Sequence, residues 1–117
     1  MKVKINSYSF GNIKINGKTY TNDVIISPEK MLEDNWWRTE GHELNLEDMD
    51  KIFSNNPGIF VMGTGHNGRV DIQPEVCKQL EEKNIELKSA NTTEAVEIYN
   101  KLAQKDENVI GGFHLTC

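Results

Sequence analysis

Gly63-Thr64-Gly65-His66-Asn67-Gly68 spells G-x-G-x-x-G directly after an apolar run, Ile59 to Met62. In a dinucleotide-binding turn the third glycine lies in a helix packed on that strand, and an acid stands about 20 residues further on. Here Arg69-Val70-Asp71-Ile72-Gln73 intervenes before Pro74 can open a helix, and the next strand ends at Ser89-Ala90-Asn91 without an acid. The motif reads as a strand-end turn, and no cofactor is expected. Such a turn still offers backbone N–H groups at a carboxyl-end crevice. Asn91-Thr92-Thr93 adds hydroxyls and amides at a helix start, which suits an anion as well as it suits plain capping. With His66 and Arg69 these turns would make a locally positive crevice. The candidate ligand-binding residues are Gly63, Thr64, Gly65, His66, Arg69, Thr92 and Thr93, and the candidate ligand is a small anion.

Trp36-Trp37-Arg38 is the other unusual segment. Adjacent tryptophans in a strand point to opposite faces, so only one of them enters a given core side. The other covers a sheet edge, lines a pocket or meets a protein partner, and Trp36, Trp37 and Arg38 are the candidate partner surface. The candidate metal ligands are His42, His66, His114, Cys77 and Cys117. Only His114 and Cys117 are compactly spaced, and a zinc site needs a second such pair, so no metal is expected. Cys117 reads as a poor nucleophile, with its own negatively charged carboxylate beside the thiol. Cys77 reads as an apolar-face helix residue. No Ser-His-acid set can be assembled from spacing, and the catalytic residues are unknown.

These residues need elements to hold them. Val3, Ile5, Ile13 and Ile15 stand at period two, Asn16-Gly17 is a hairpin signal, and Asp23 to Ser27 continues as a strand that Pro28 stops. The amino-terminal third therefore reads as an antiparallel ribbon. From Asn45 the period becomes helical, with Met49, Ile52 and Phe53 on one face until Asn55-Asn56-Pro57-Gly58. Ile59 to Met62 suits a strand buried on both sides. Pro74 starts a helix that Asn84 ends, and Ile85-Glu86-Leu87 is a short strand. Asn91 with Glu94 caps a helix whose Ala95, Tyr99, Leu102 and Ala103 face inward, with Asn100 at its border. Val109 to Phe113 is the last strand. Alternation of helix and strand calls for parallel pairing with right-handed crossovers.

The chain has 117 residues, 13 Lys plus Arg, 18 Asp plus Glu and a net charge of −5. That length suits one domain over residues 1–117. Without clustered cations, nucleic acid is not an expected partner. The apolar runs are strand-sized and Met1 to Asn6 lacks a signal-peptide core, so no membrane is expected and the cytoplasm is the expected address. Two cysteines do not make a disulfide framework.

Several stretches carry a resemblance across nearly the whole chain: Tyr8-Ser9-Phe10-Gly11, Gly17 to Tyr20, Asp23 to Ile26, Trp36-Trp37-Arg38 with Gly41-His42, and Gly63-Thr64-Gly65. Thr92 to Ala95, Tyr99-Asn100 and His114 to Cys117 complete it. They resemble the family of small α/β proteins that includes the adipogenesis-associated Mth-domain protein and the third assembly factor of mitochondrial respiratory complex I. The resemblance implies a three-layer α/β fold: a central mixed sheet flanked by helices, with an extra antiparallel β layer from the amino-terminal third. It implies no reaction. Two readings stand: a non-catalytic binding or assembly module, or an anion-binding protein or enzyme using the Gly63-Thr64-Gly65 crevice. Oligomeric state is left open.

Overall fold

Asn16 and Gly17 both take positive φ (48° and 84°), the pair of left-handed residues that a type I′ turn requires. They join β2 (Asn12–Ile15) to β3 (Lys18–Tyr20), and β1 (Ile5–Ser9) pairs with β2 on its other side. In the computed structural model, which describes residues 3–38 and 40–117, these strands form a three-stranded antiparallel layer.

The ribbon expected to run on through Ile26 divides here. β4 (Val24–Ile26) leaves it for a second sheet, because all three residues are buried and a strand covered on both faces belongs in a sheet interior. The other members are β5 (Met31–Glu33), β7 (Ile59–Gly63), β9 (Glu86–Ala90) and β10 (Val109–Phe113), in the order β5-β4-β10-β7-β9. β10, β7 and β9 run parallel, whereas β4 and β5 are antiparallel additions. A separate parallel pair joins β6 (Glu43–Leu44) to β8 (Asp71–Ile72).

The helix expected from Asn45 onward is broken in two. Asn45 N–H bonds to the Asp48 carboxylate at 2.8 Å, a tight 3₁₀ turn spans Leu46–Asp48, and α1 (Asp50–Ser54) follows. α2 (Pro74–Glu82) starts on its proline. α3 (Thr92–Gln104) is capped by Asn91 Oδ1, which accepts from Glu94 N–H at 3.0 Å. The two longer helices cover opposite faces of the central sheet. Val61, Tyr99, Ala103 and Phe113 pack with Ile5 and Ile13 on the face shared by α3 and the three-stranded layer. Phe60, Met62, Val76, Leu80 and Trp36 pack on the other.

β10 carries Gly111-Gly112 because aromatic rings press on both its sides. A Cβ at 111 would stand 2.6 Å from the Phe113 ring and 2.8 Å from Tyr99; one at 112 would stand 2.7 Å from Trp36. The strand at the middle of the sheet is thus thin by necessity.

Candidate functional site

Three polar side chains meet beyond the carboxyl end of β10. Asp23 lies just before β4, Arg38 follows Trp37, and His114 follows β10. Arg38 Nη1 donates to Asp23 Oδ2 at 2.6 Å, and its Nη2 donates to Gly41 O at 3.1 Å. His114 Nδ1 stands 2.7 Å from Asp23 Oδ2, a separation that needs a proton between nitrogen and carboxylate. Nδ1 therefore donates, and Nε2 faces Thr116 Oγ1 at 3.4 Å. Arg38 Nη2 crowds the same Nδ1 at 2.8 Å across the shared carboxylate. Leu115 N–H occupies the second Asp23 oxygen at 3.0 Å.

The trio is largely dry: the side chains of Arg38 and Asp23 are 4% and 14% exposed. Burial works to raise the Asp23 pKa, but the hydrogen bond from His114 and the charge of Arg38 outweigh it and hold the carboxyl below its usual range. Tyr8, which donates its hydroxyl to Leu115 O at 2.9 Å, is pushed up by burial and by the Asp23 charge. Acid, imidazole and hydroxyl stand in relay order, yet neighbouring amides that could steady an oxyanion are engaged elsewhere: Leu115 N–H on Asp23 and His66 N–H on Thr116 O. The arrangement clamps three segments together.

The three residues of the expected partner surface are placed differently from one another. Arg38 is buried in the trio, with its guanidinium 5.6 Å from the Trp36 ring. Trp36 is buried and donates Nε1–H to Asp48 O at 3.1 Å. Only Trp37 is presented, 78% exposed. It borders a cavity of about 440 Å³ together with Asn22, Asn35 and Thr116. The segment is irregular, so strand alternation is not what separates the two tryptophans.

The second region lies where β7 and β9 end. Their exits lead to α2 on one face and α3 on the other, which opens a crevice between adjacent parallel strands. It encloses about 560 Å³, and its polar lining includes Thr64, Asn67, Asp71, Ser89 and Asn91. Gly63 and Gly65 meet Thr92 as the topology predicts, but in direct contact. Thr92 is fully buried, accepts from Gly65 N–H at 2.9 Å and donates to His114 O at 2.6 Å, so its hydroxyl is a brace and is not available to a ligand. Gly65 has φ +109°, and a Cβ there would stand 2.6 Å from Thr116 O.

The amides expected to hold an anion serve the protein itself. Thr64 N–H donates to Ala90 O, Gly68 N–H to Gly65 O, Arg69 N–H to Cys117 O and Thr92 N–H to Gly65 O. Arg69, His66 and Thr93 are exposed and are not part of the crevice lining, whereas Asp71 is. His66 packs instead on Phe10, edge-on at 5.6 Å. The positive setting expected there is replaced by an acid among neutral polar groups. Cys77, expected on the apolar face of α2, is exposed and lines the crevice, because one residue past buried Val76 is a rotation of about 100°.

Sequence reasoning missed Asp23 and Thr116, and took His114 only as a possible metal ligand. The one available signal was Asp23 set directly against the apolar triplet Val24-Ile25-Ile26. Among the described residues no group of three or more His, Cys, Asp or Glu is placed to hold a metal ion, and no helix is long and apolar enough to cross a membrane.

Residues 5–114 match the model of a family described as proteins of unknown function (DUF498/DUF598). The fold is similar to that of a Xanthomonas campestris protein solved by NMR, with a TM-score of 0.85 at 20% identity over 98% of this chain and 86% of that one. A conserved hypothetical protein of Pyrococcus horikoshii gives 0.81 at 26% over 97% and 99%. A Mth938-like domain of Bordetella pertussis gives 0.79 at 15% over 97% and 85%. With a family match over most of its length and Mth938-like neighbours of the same fold, this chain belongs to the DUF498/DUF598 family.

Proposed function

We propose that the protein is a non-catalytic binding or assembly module of the cytoplasm that receives a protein partner at the face around Trp37. The observation that supports this is a large aromatic ring, 78% exposed, standing on a support fixed by the Asp23–Arg38–His114 trio. Exposed tryptophan on a rigid base suits an interface anchor. Two free cysteines suit a reducing compartment. The test places a photo-reactive residue at Trp37, and for comparison at exposed Glu82, in the full chain expressed in its own cells. A discrete adduct to another protein from position 37 alone is expected. No adduct, or the same adducts from both positions, overturns the reading.

A second reading, a small polar ligand in the crevice beside Gly63-Thr64-Gly65, is favoured by the position of that crevice between the diverging exits of β7 and β9. A thermal-shift screen of small anions, nucleotides and polar metabolites distinguishes it. A ligand at 100 times its dissociation constant adds about 2.7 kcal/mol. That gain should shrink in Thr64→Val. Equal gains in both proteins, or none, remove the crevice.

A further inference from the structure

Among the described residues β9 ends the five-stranded sheet and pairs with β7 on one side only. Glu86 N–H donates to Gly58 O, and Ala90 O accepts from Thr64 N–H, so these residues turn their backbone groups toward β7. Parallel pairing alternates along a strand, which leaves the N–H and C=O groups of Leu87 and Ser89 facing outward. A row of that kind is a template for one more strand.

The edge is not a bare one. α3 flanks it, and helix and strand together enclose a groove of about 560 Å³ with Ile98 and Leu102 as apolar wall. Lys88, Lys101 and Lys105 also line it, with no carboxylate among the lining residues, on a chain whose net charge is −5. The Lys88–Glu86 bridge, 3.0 Å and solvent-exposed, is weak enough for an incoming carboxylate to replace. Two copies of the groove would set lysine against lysine, so the charge pattern that blocks pairing with a second copy admits an acidic chain.

We infer that this groove takes an extended acidic segment of a partner protein, which adds to the sheet as a sixth strand along β9. Leu87 and Ser89 supply the main-chain hydrogen bonds, and every second side chain of the segment faces α3, where apolar ones rest on Ile98 and Leu102 and acidic ones meet the three lysines. The surface is separate from the Trp37 face, and the proposal goes beyond that reading.

The test titrates the isotope-labelled full chain with a synthetic peptide of about six residues, the length of an ordinary strand, with Glu and Val taking turns at every second position and Thr between them. Two companions are used: the same peptide methylated on alternate backbone nitrogens, and one with Lys in place of Glu. The amide resonances of Leu87 and Ser89 should move first. Combined Lys88→Gln, Lys101→Gln and Lys105→Gln should weaken binding about tenfold, as three exposed ion pairs imply. Methylation should weaken it comparably, and Trp37→Ala should leave it unchanged. Shifts confined to other surfaces, no shifts at millimolar peptide, or equal binding of the methylated or lysine peptides would overturn the proposal without touching the Trp37 reading.

Discussion

Asn100 holds the backbone of Ile5 with both ends of its amide: Oδ1 accepts from Ile5 N–H at 3.1 Å, and Nδ2 donates to Ile5 C=O at 2.8 Å. A side chain on α3 thereby takes the place of a neighbouring strand for β1. From the border of α3, where the sequence pattern places it, this amide ties down a strand. Asn100→Ala removes both bonds and should cost about 1–3 kcal/mol. Asn100→Asp keeps the acceptor and loses the donor, so it should fall between the two in urea midpoint. An unchanged midpoint for Asn100→Ala would show that the pair contributes nothing.

Asp23 makes stability depend on acidity in a definite direction. Its folded pKa is lowered against the unfolded value of about 3.9, so its contribution is complete above that value and fades as pH falls through it toward the folded pKa. Asp23→Asn strands Arg38 in a dry site and should cost about 3–5 kcal/mol at neutral pH. Urea unfolding from pH 7 to about pH 3 should show the difference between wild type and variant narrowing only below about pH 4. A constant difference across that range would exclude an ionised Asp23 as its source.

Thr92→Val keeps the shape of the side chain and removes the hydroxyl that joins Gly65 N–H to His114 C=O. Two buried backbone groups then lack a partner, at about 1–3 kcal/mol each. Amide exchange at Gly65 should accelerate more than at Val61, which lies within β7. Uniform acceleration would mean that only global stability had changed.

Gly112→Ala drives a methyl group into the Trp36 ring and should cost about 1–3 kcal/mol. Trp36→Leu alone is also destabilising, because it removes the ring and its bond to Asp48 O. Combined, the two substitutions should cost less than the sum of their separate effects. Strict additivity in chemical unfolding would show that the ring and the added methyl do not meet.

The parts legible in the chain are those that depend on near neighbours. Asn16-Gly17, Pro74 and the Asn91–Glu94 cap each state their conformation within a few residues, and the structure has all three. The clamp was illegible because its members are far apart: Arg38 is 15 positions from Asp23, and His114 is 91 positions from it. Nothing local marks an arginine for burial. Its desolvation is offset only by a carboxylate that the folded chain brings to it. The same blindness assigned Arg38 to a free surface and placed Arg69 in a crevice that contains Asp71 instead.

β10 lies between β4 and β7 although it follows both in the chain. A ribosome makes the chain in order, so β4 and β7 emerge long before the strand that separates them. Without residues 109–113 the sheet order falls into two pairs, β5-β4 and β7-β9, and β4 and β7 become edges of the kind that other chains join. A stall ahead of Val109 leaves those edges open indefinitely. The middle strand is thus one whose loss exposes two edges at once.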